Sequence, residues 1–289
     1  DCCGVLHHLH SPGDGLRTLF ELVAPDGGMG LMFYGTYGRT GIYDVQDIMR
    51  RITPNDDQTT KLPILKTLLA NLPPSNRLVR NAAVPHTPDQ HDAELVDKFL
   101  HPQDRAYTVS DLAVLCEQAG LRITAFAPTG RYDPATYVQD DDLQRRFSGL
   151  TNLERAALAE LIAGNIGRHI FYATPSTNTA GCVAGLSGPD VASATPVLKQ
   201  GRGADLADKI SPNSAFKGQF DDFTVFAEPP ALAADILRRI DNKTCLEDIY
   251  FDIAMENTGL DWVTFLDQFM GLYTALHGLL NSMFLRFPK

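Results

Sequence analysis

The feature that most constrains this chain is its opening, where a short apolar segment, a helix and a second, wholly apolar segment follow one another. Cys2 to Leu6 form the first segment, and the polar break from His7 to Ser11 ends it. Ser11 in N-cap position and Pro12 in the first turn then start a helix whose Leu16, Leu19, Phe20 and Val23 share one face. The turn Pro25 to Gly28 (PDGG) stops that helix, and Met29 to Tyr34 (MGLMFY) is a continuous apolar run of strand length. Strand, helix, strand in this order favours a parallel pair joined by a right-handed crossover, because parallel neighbours need a connection that returns along the sheet. The expected fold class is α/β.

Further along, Gly35 to Gly41 (GTYGRTG) is a glycine-punctuated loop that leads into a helix near Ile42 to Ile52. Pro63, Pro73, Pro74, Pro85 and Pro88 divide the next stretch into short helical pieces, which predicts a cap insertion at about 54–107. Thr108 and Asp111 are spaced as a capping box, Leu112, Leu115 and Ala119 form an inward stripe, and Gly120 supplies a C-cap before a strand from Leu121 to Phe126. A second box, Thr151 with Glu154, opens a helix through Ala163, and Arg168 to Ala173 is the next strand. A first domain over 1–175 follows from this. Glycines such as Gly181, Gly185 and Gly188 predict an irregular linker over 176–228. Residues 229–289 are expected to be helical, with a third box at Thr244 and Glu247 and a long helix from about Asp261 to Ser282.

Composition narrows the partners. With 35 acidic against 25 basic residues the formal charge is -10, the wrong sign for a surface that neutralises phosphates, so neither nucleic acid nor an anionic membrane is expected. The most apolar stretch, Trp262 to Phe287, is interrupted by Asp267, Gln268, His277 and Asn281 and reads as a buried helix. Five scattered cysteines, an odd number, fit a reducing, cytoplasmic setting.

Residues 1–10 (DCCGVLHHLH), a helix, and then Leu22 to Phe33 (LVAPDGGMGLMF) resemble the middle of a class I S-adenosylmethionine-dependent methyltransferase. There "GVLHHL" ends the fourth strand and an L-x-P-G-G turn leads into the fifth. Thr108 to Phe126 and Arg168 to Ala173 look like the last helix and the antiparallel final hairpin of that family. The resemblance implies strands four to seven of a Rossmann-like sheet over about 1–175, methyl transfer as the activity and S-adenosylmethionine as the cofactor. The family's glycine-rich loop after strand one and the acid ending strand two have no counterpart here, so the expectation is the carboxy-terminal part of a methyltransferase. The turn Arg238 to Thr244 between helices resembles that of a small winged-helix appendix; eight acidic against five basic residues in 229–289 disfavour DNA and favour a protein partner. An exposed sheet edge at the first strand is a second surface for self-association.

In open α/β sheets ligands bind beyond the carboxyl ends of the strands. The resemblance therefore implies Cys3, Gly4, Val5 and His7 beside the cofactor, and His8 as a general base, a role histidine suits near neutral pH. The plain alternative for Cys2 and Cys3 is that of small core hydrophobes. A metal held by His7, His8 and His10 is disfavoured, because adjacent side chains of an extended chain point opposite ways and no other ligand completes the set. For the acceptor, Tyr34, Tyr37 and Tyr43 offer aromatic walls and Arg39 a bidentate grip on a carboxylate or phosphate; Asp104, Arg105 and Tyr107 are a second cluster placed to close over the same cleft. The bland readings are a helix-capping turn and a solvated turn. The rival function is a non-catalytic scaffold or partner-binding protein that keeps part of the fold.

Overall fold

A computed structural model describes residues 1–138, 140–179, 189–210, 216–219, 224–279 and 282–288, with backbone alone for 216–219, 224–227 and 279. β1 (Cys2–Cys3) and β2 (Met29–Gly35) pair in parallel, Cys2 opposite Leu31 and Cys3 opposite Met32, and α1 (Pro12–Phe20) connects them. Ser11 caps α1 by accepting the Asp14 N–H, and Pro12 occupies its first turn, where a missing N–H costs nothing.

After β2 come α2 (Ile42–Ile52), α3 (Gln58–Ala70) and α4 (Asp92–Phe99), then β3 (Ala106–Tyr107), α5 (Val109–Gln118), β4 (Leu121–Ala127), α6 (Asp141–Ser148), α7 (Asn152–Ala163) and β5 (Arg168–Pro175). The sheet runs β1-β2-β5-β4, and β3 adds to β2 in parallel at Tyr34 and Gly35. β5 is antiparallel to β2, from Met29 opposite Ala173 to Tyr34 opposite Arg168. Both capping boxes form: Thr108 with Asp111 opens α5, and Thr151 with Glu154 opens α7. Leu16, Leu112, Cys116 and Ala156 of the helices bury against Leu31, Phe33 and Phe171 of the sheet.

The cap has a core of its own, in which Ile42, Val45 and Met49 of α2 meet Leu65, Leu69, Leu95 and Phe99. Pro63 does not break α3, contrary to expectation. An interior proline costs ~3 kcal/mol. Here Asp57 caps the helix by accepting the Thr60 N–H at 2.8 Å, and full burial of Leu65 and Leu69 returns about 1.5–3 kcal/mol each.

The chain divides into two compact units, Asp1–Phe126 with Tyr132–Thr179, and Ala127–Arg131 with Ala180–Lys289. The second holds β6 (Thr195–Leu198), α8 (Gly203–Ala207), β7 (Phe216–Gln219), β8 (Thr224–Ala227), α9 (Ala233–Arg239), α10 (Leu246–Glu256), α11 (Trp262–Tyr273) and β9 (Met283–Arg286). Of the stretch read as linker, 180–188, with its three glycines and Cys182, lies outside the described residues, as do 211–215 and 220–223. β6 and α8, however, contribute Leu198 and Ala207 to the same core as Ile236, Ile249, Phe265 and Phe269. The box at Thr244 does not form: Asp241 Oδ1 accepts the N–H groups of Lys243 and Thr244 instead, and α10 starts one residue later, after Cys245. The last helix is shorter than its apolar run, because the Ser282 N–H and hydroxyl both bond the Leu276 carbonyl and Met283–Arg286 leaves to pair antiparallel with β6. Among the described residues no helix is long and apolar enough to cross a membrane.

Candidate functional site at the carboxyl ends of the parallel strands

β1 ends at Gly4, whose φ of +76° turns the chain across the end of its own strand. A single 3-10 turn, Leu6–His8, follows and sets His7 and His8 beside Tyr34, the penultimate residue of β2. The His7 ring lies 4.0 Å from that of Tyr34, and the rings of His7 and His8 are 4.3 Å apart. His7 is 1% exposed, and neither of its ring nitrogens has a hydrogen-bond partner. The nearby Met32 carbonyl pulls weakly on the ring but satisfies neither nitrogen, and it is already approached by the Gly4 N–H. Burial, then the His8 imidazole, push the His7 pKa down to about 4, with Arg39 adding and Asp104 opposing.

His8 is half-buried, and its Nδ1 lies 3.0 Å from the Gln103 carbonyl. A carbonyl only accepts, so Nδ1 donates here, and of the two neutral tautomers this contact selects the one with its lone pair on Nε2, the atom a general base would use. The His101 ring packs against it at 4.0 Å.

Arg39, Asp104, Tyr34 and Tyr43 are brought together, but as an internal cluster. Arg39 Nη2 donates to Asp104 Oδ2 at 2.5 Å, with side chains only 9% and 0% exposed. The guanidinium carbon sits 3.7 Å over the Tyr34 ring, and Nε donates to the Tyr43 hydroxyl at 3.2 Å. The reading of Arg39 as a free grip for a substrate anion is therefore revised, since the protein's own carboxylate occupies it. Burial raises the Tyr43 hydroxyl to about 12, Arg39 opposing. Tyr34 is raised too, by burial and then by the Asp97 carboxylate. Gln46, 1% exposed, completes the cluster by donating to Asp104 Oδ2 (3.1 Å) and to the Lys98 carbonyl (3.0 Å), while its Oε1 accepts from Arg50.

The loop glycines approach the chain itself. A Cβ on Gly38 would stand 2.2 Å from the Gly167 nitrogen and 2.3 Å from the Asn165 carbonyl oxygen, and Gly41 combines a φ of +91° with equal crowding by Leu78. Gly38→Ala is expected to lower stability by about 1–3 kcal/mol, because the contact is backbone on backbone and neither side can yield alone. Gly149→Ala, whose Cβ meets nothing closer than 3.6 Å, should stay within ~0.5 kcal/mol. Urea unfolding of both variants decides; equal midpoints would show that the 165–167 segment moves aside.

Cys3 and Val5 are exposed and Gly4 is partly so, on the open side of β1. The Tyr37 side chain joins neither cluster, and its carbonyl accepts from Thr40. Tyr107 is a core residue, packed edge-on to Phe33 at 5.2 Å. Behind it lies a buried group that the sequence did not single out. His169 Nε2–H donates to the Tyr107 carbonyl (3.1 Å), so Glu160 Oε1, also at 3.1 Å, is near without being hydrogen-bonded. Nδ1 accepts from the Tyr132 hydroxyl, and Glu160 Oε2 accepts the Val109 N–H. Full burial gives this group a role in packing β3 to β5. The sequence also missed Gln46, Arg50 and His101; only His101 carried a signal, lying three residues before Asp104 of the second cluster. Among the described residues no three His, Cys, Asp or Glu side chains gather to hold a metal.

The architecture is a mixed α/β sheet with helices packed against it. It is shared with PKMT2 from Rickettsia typhi: one structure of that protein matches with a TM-score of 0.59 at 11% identity over 98% of this chain and 56% of the other. A second, in complex with AdoHcy, matches with a TM-score of 0.60 at 12% identity over 99% and 58%. In sequence, the uncharacterized protein syc1184_c of Synechococcus sp. (strain ATCC 27144 / PCC 6301 / SAUG 1402/1) is 30% identical over 176 residues, 60% of this chain and 42% of that protein. The chain thus spans less than two thirds of the length of each. No protein-family model matches it.

Proposed function

We propose that the protein transfers a methyl group from S-adenosylmethionine to an acceptor, with the cofactor beside Cys3, Gly4, Val5 and His7 and the acceptor beside His8. The observation that carries this is the convergence of His7, His8 and Tyr34 at the carboxyl ends of parallel β1 and β2, where an open α/β sheet binds its ligands. A protein of the same fold is solved with AdoHcy, which is what S-adenosylmethionine becomes on losing its methyl group. We assign β1, β2, β4 and β5 to strands four to seven of the class I fold, the last two being its terminal hairpin.

Two features of the chain fit such a ligand. The Gly4 turn leaves backbone accessible at the strand end, and His7 brings two buried nitrogens that lack a partner. When bound, the cofactor supplies an electrophilic methyl on a sulfonium. The chain's own part is to align the acceptor, exclude water and take the acceptor's proton on His8 Nε2. The buried Arg39–Asp104 pair holds Tyr34 in place behind the histidines.

Calorimetric titration of the whole natural protein with AdoHcy tests the reading, because this chain spans only part of the length of the proteins it matches. Saturable binding that Val5→Glu abolishes is expected, since a carboxylate there would stand in the cofactor's place. His8→Ala should keep the affinity and lose turnover by about 10²–10⁴-fold, the usual worth of a general base. No heat at millimolar AdoHcy would replace this reading by the scaffold on the same fold.

A further inference from the structure

We propose that a cleft between α2 and residues 99–102 binds the anionic group of the acceptor, a carboxylate or phosphate on a short apolar body; the word acceptor rests on the methyl-transfer reading, the anion site does not. The cleft has a volume of about 250 Å³ and lies wholly within the first unit. Met49 and Phe99, 2% and 1% exposed, form its apolar floor. Its polar lining includes Arg50, Lys61 and His101, and no carboxylate lines it. In a chain with a net charge of -10 this is a local reversal of sign.

Of the nearby acids, Asp104, behind Gln46, is paired with Arg39 and Asp47 with Arg51; Asp57, one turn before Lys61, accepts the Thr60 N–H and also acts on the Lys61 charge from outside the lining. Gln46 gives the site a built wall, because its amide is bonded on both sides and its Oε1 takes one Arg50 Nη2 proton at 2.8 Å, which orients the guanidinium at the cleft. The remaining guanidinium protons suit a carboxylate or phosphate.

Size and position say what part of a ligand fits. The volume is below the ~300–1,000 Å³ of sites that enclose a whole drug-sized ligand, so the cleft holds a terminal group and not a nucleoside cofactor. His101 is both a wall of the cleft and the ring that packs, tilted, 4.0 Å from His8. A molecule anchored by its anion at Arg50 and Lys61 extends past His101 to the base that would take its proton.

The test uses benzoate, phenyl phosphate and, as the uncharged control, benzyl alcohol, titrated into the whole natural protein without S-adenosylmethionine and followed by ligand-observed NMR. At least one anion should bind tenfold or more tightly than benzyl alcohol, and Arg50→Met and Lys61→Met should each weaken it at least fivefold while melting like the parent. The tighter of the two anions identifies the acceptor group as carboxylate or phosphate. Equal affinity for benzyl alcohol, or anion binding that survives both substitutions, overturns the proposal. AdoHcy affinity is measured on the same variants: its absence in the parent sinks the methyl-transfer reading and leaves the anion site standing, whereas anion indifference with AdoHcy bound does the reverse.

Discussion

Arg39→Ala is expected to destabilise the protein by about 3–5 kcal/mol, the cost of removing one partner from a buried ion pair. The substitution strands the Asp104 carboxylate, whose side chain is 0% exposed and whose Oδ1 already lacks a partner. Only the Gln46 amide would remain to Oδ2, far less than a guanidinium at 2.5 Å. Tyr34 would also lose the cation over its ring, and Tyr43 the donor to its hydroxyl. If Arg39 were instead a surface grip for substrate, turnover would fall while the unfolding midpoint stayed. Urea denaturation separates the two, and a loss under about 1 kcal/mol would sink the buried-pair account. Arg39→Met with Asp104→Leu should recover much of the loss, because no charge is then left buried and unpaired.

The second large effect is an acid sensitivity that originates in His7. Its pKa is about 4 in the folded chain against 6.5 when free, so the unfolded chain binds the proton more readily. The stability associated with neutral His7 is complete above pH 6.5, falls as the pH drops from 6.5 to about 4, and levels off below. A difference of this size corresponds to on the order of 3 kcal/mol. Carboxylates titrate at the lower end of the same window, so the quantity to measure is the difference between the parent and His7→Leu. The parent should lose more stability than the variant between pH 7 and pH 4. Parallel curves would show that water or a moving side chain already solvates the imidazole.

What could be read from the sequence was local. Ser11 with Pro12, Thr108 with Asp111 and Thr151 with Glu154 announce helix starts because cap and backbone partner lie within three residues, a span that no tertiary context needs to supply. The apolar run of β2 likewise announces a strand, of which Met29, Leu31 and Phe33 are buried. Where local signals failed, a competing contact won: Asp241 took the amides that Thr244 was expected to organise around, and pairing with β6 drew Met283–Arg286 out of the last helix.

The site divides along the same line. Spacing alone put His7 and His8 just past the end of β1, and the crossover put Tyr34 at the end of its neighbour, so the carboxyl-end location was determined by the sequence. That Arg39 faces Asp104, 65 residues away, and His8 the carbonyl of Gln103, 95 residues away, depends on how the cap folds back over the strand ends. No periodicity encodes such pairings. A buried charge adopts whichever opposite charge the topology brings within reach, and only the tertiary structure decided that Arg39 would be held by the protein's own carboxylate, leaving Arg50 and Lys61 to line the open cleft.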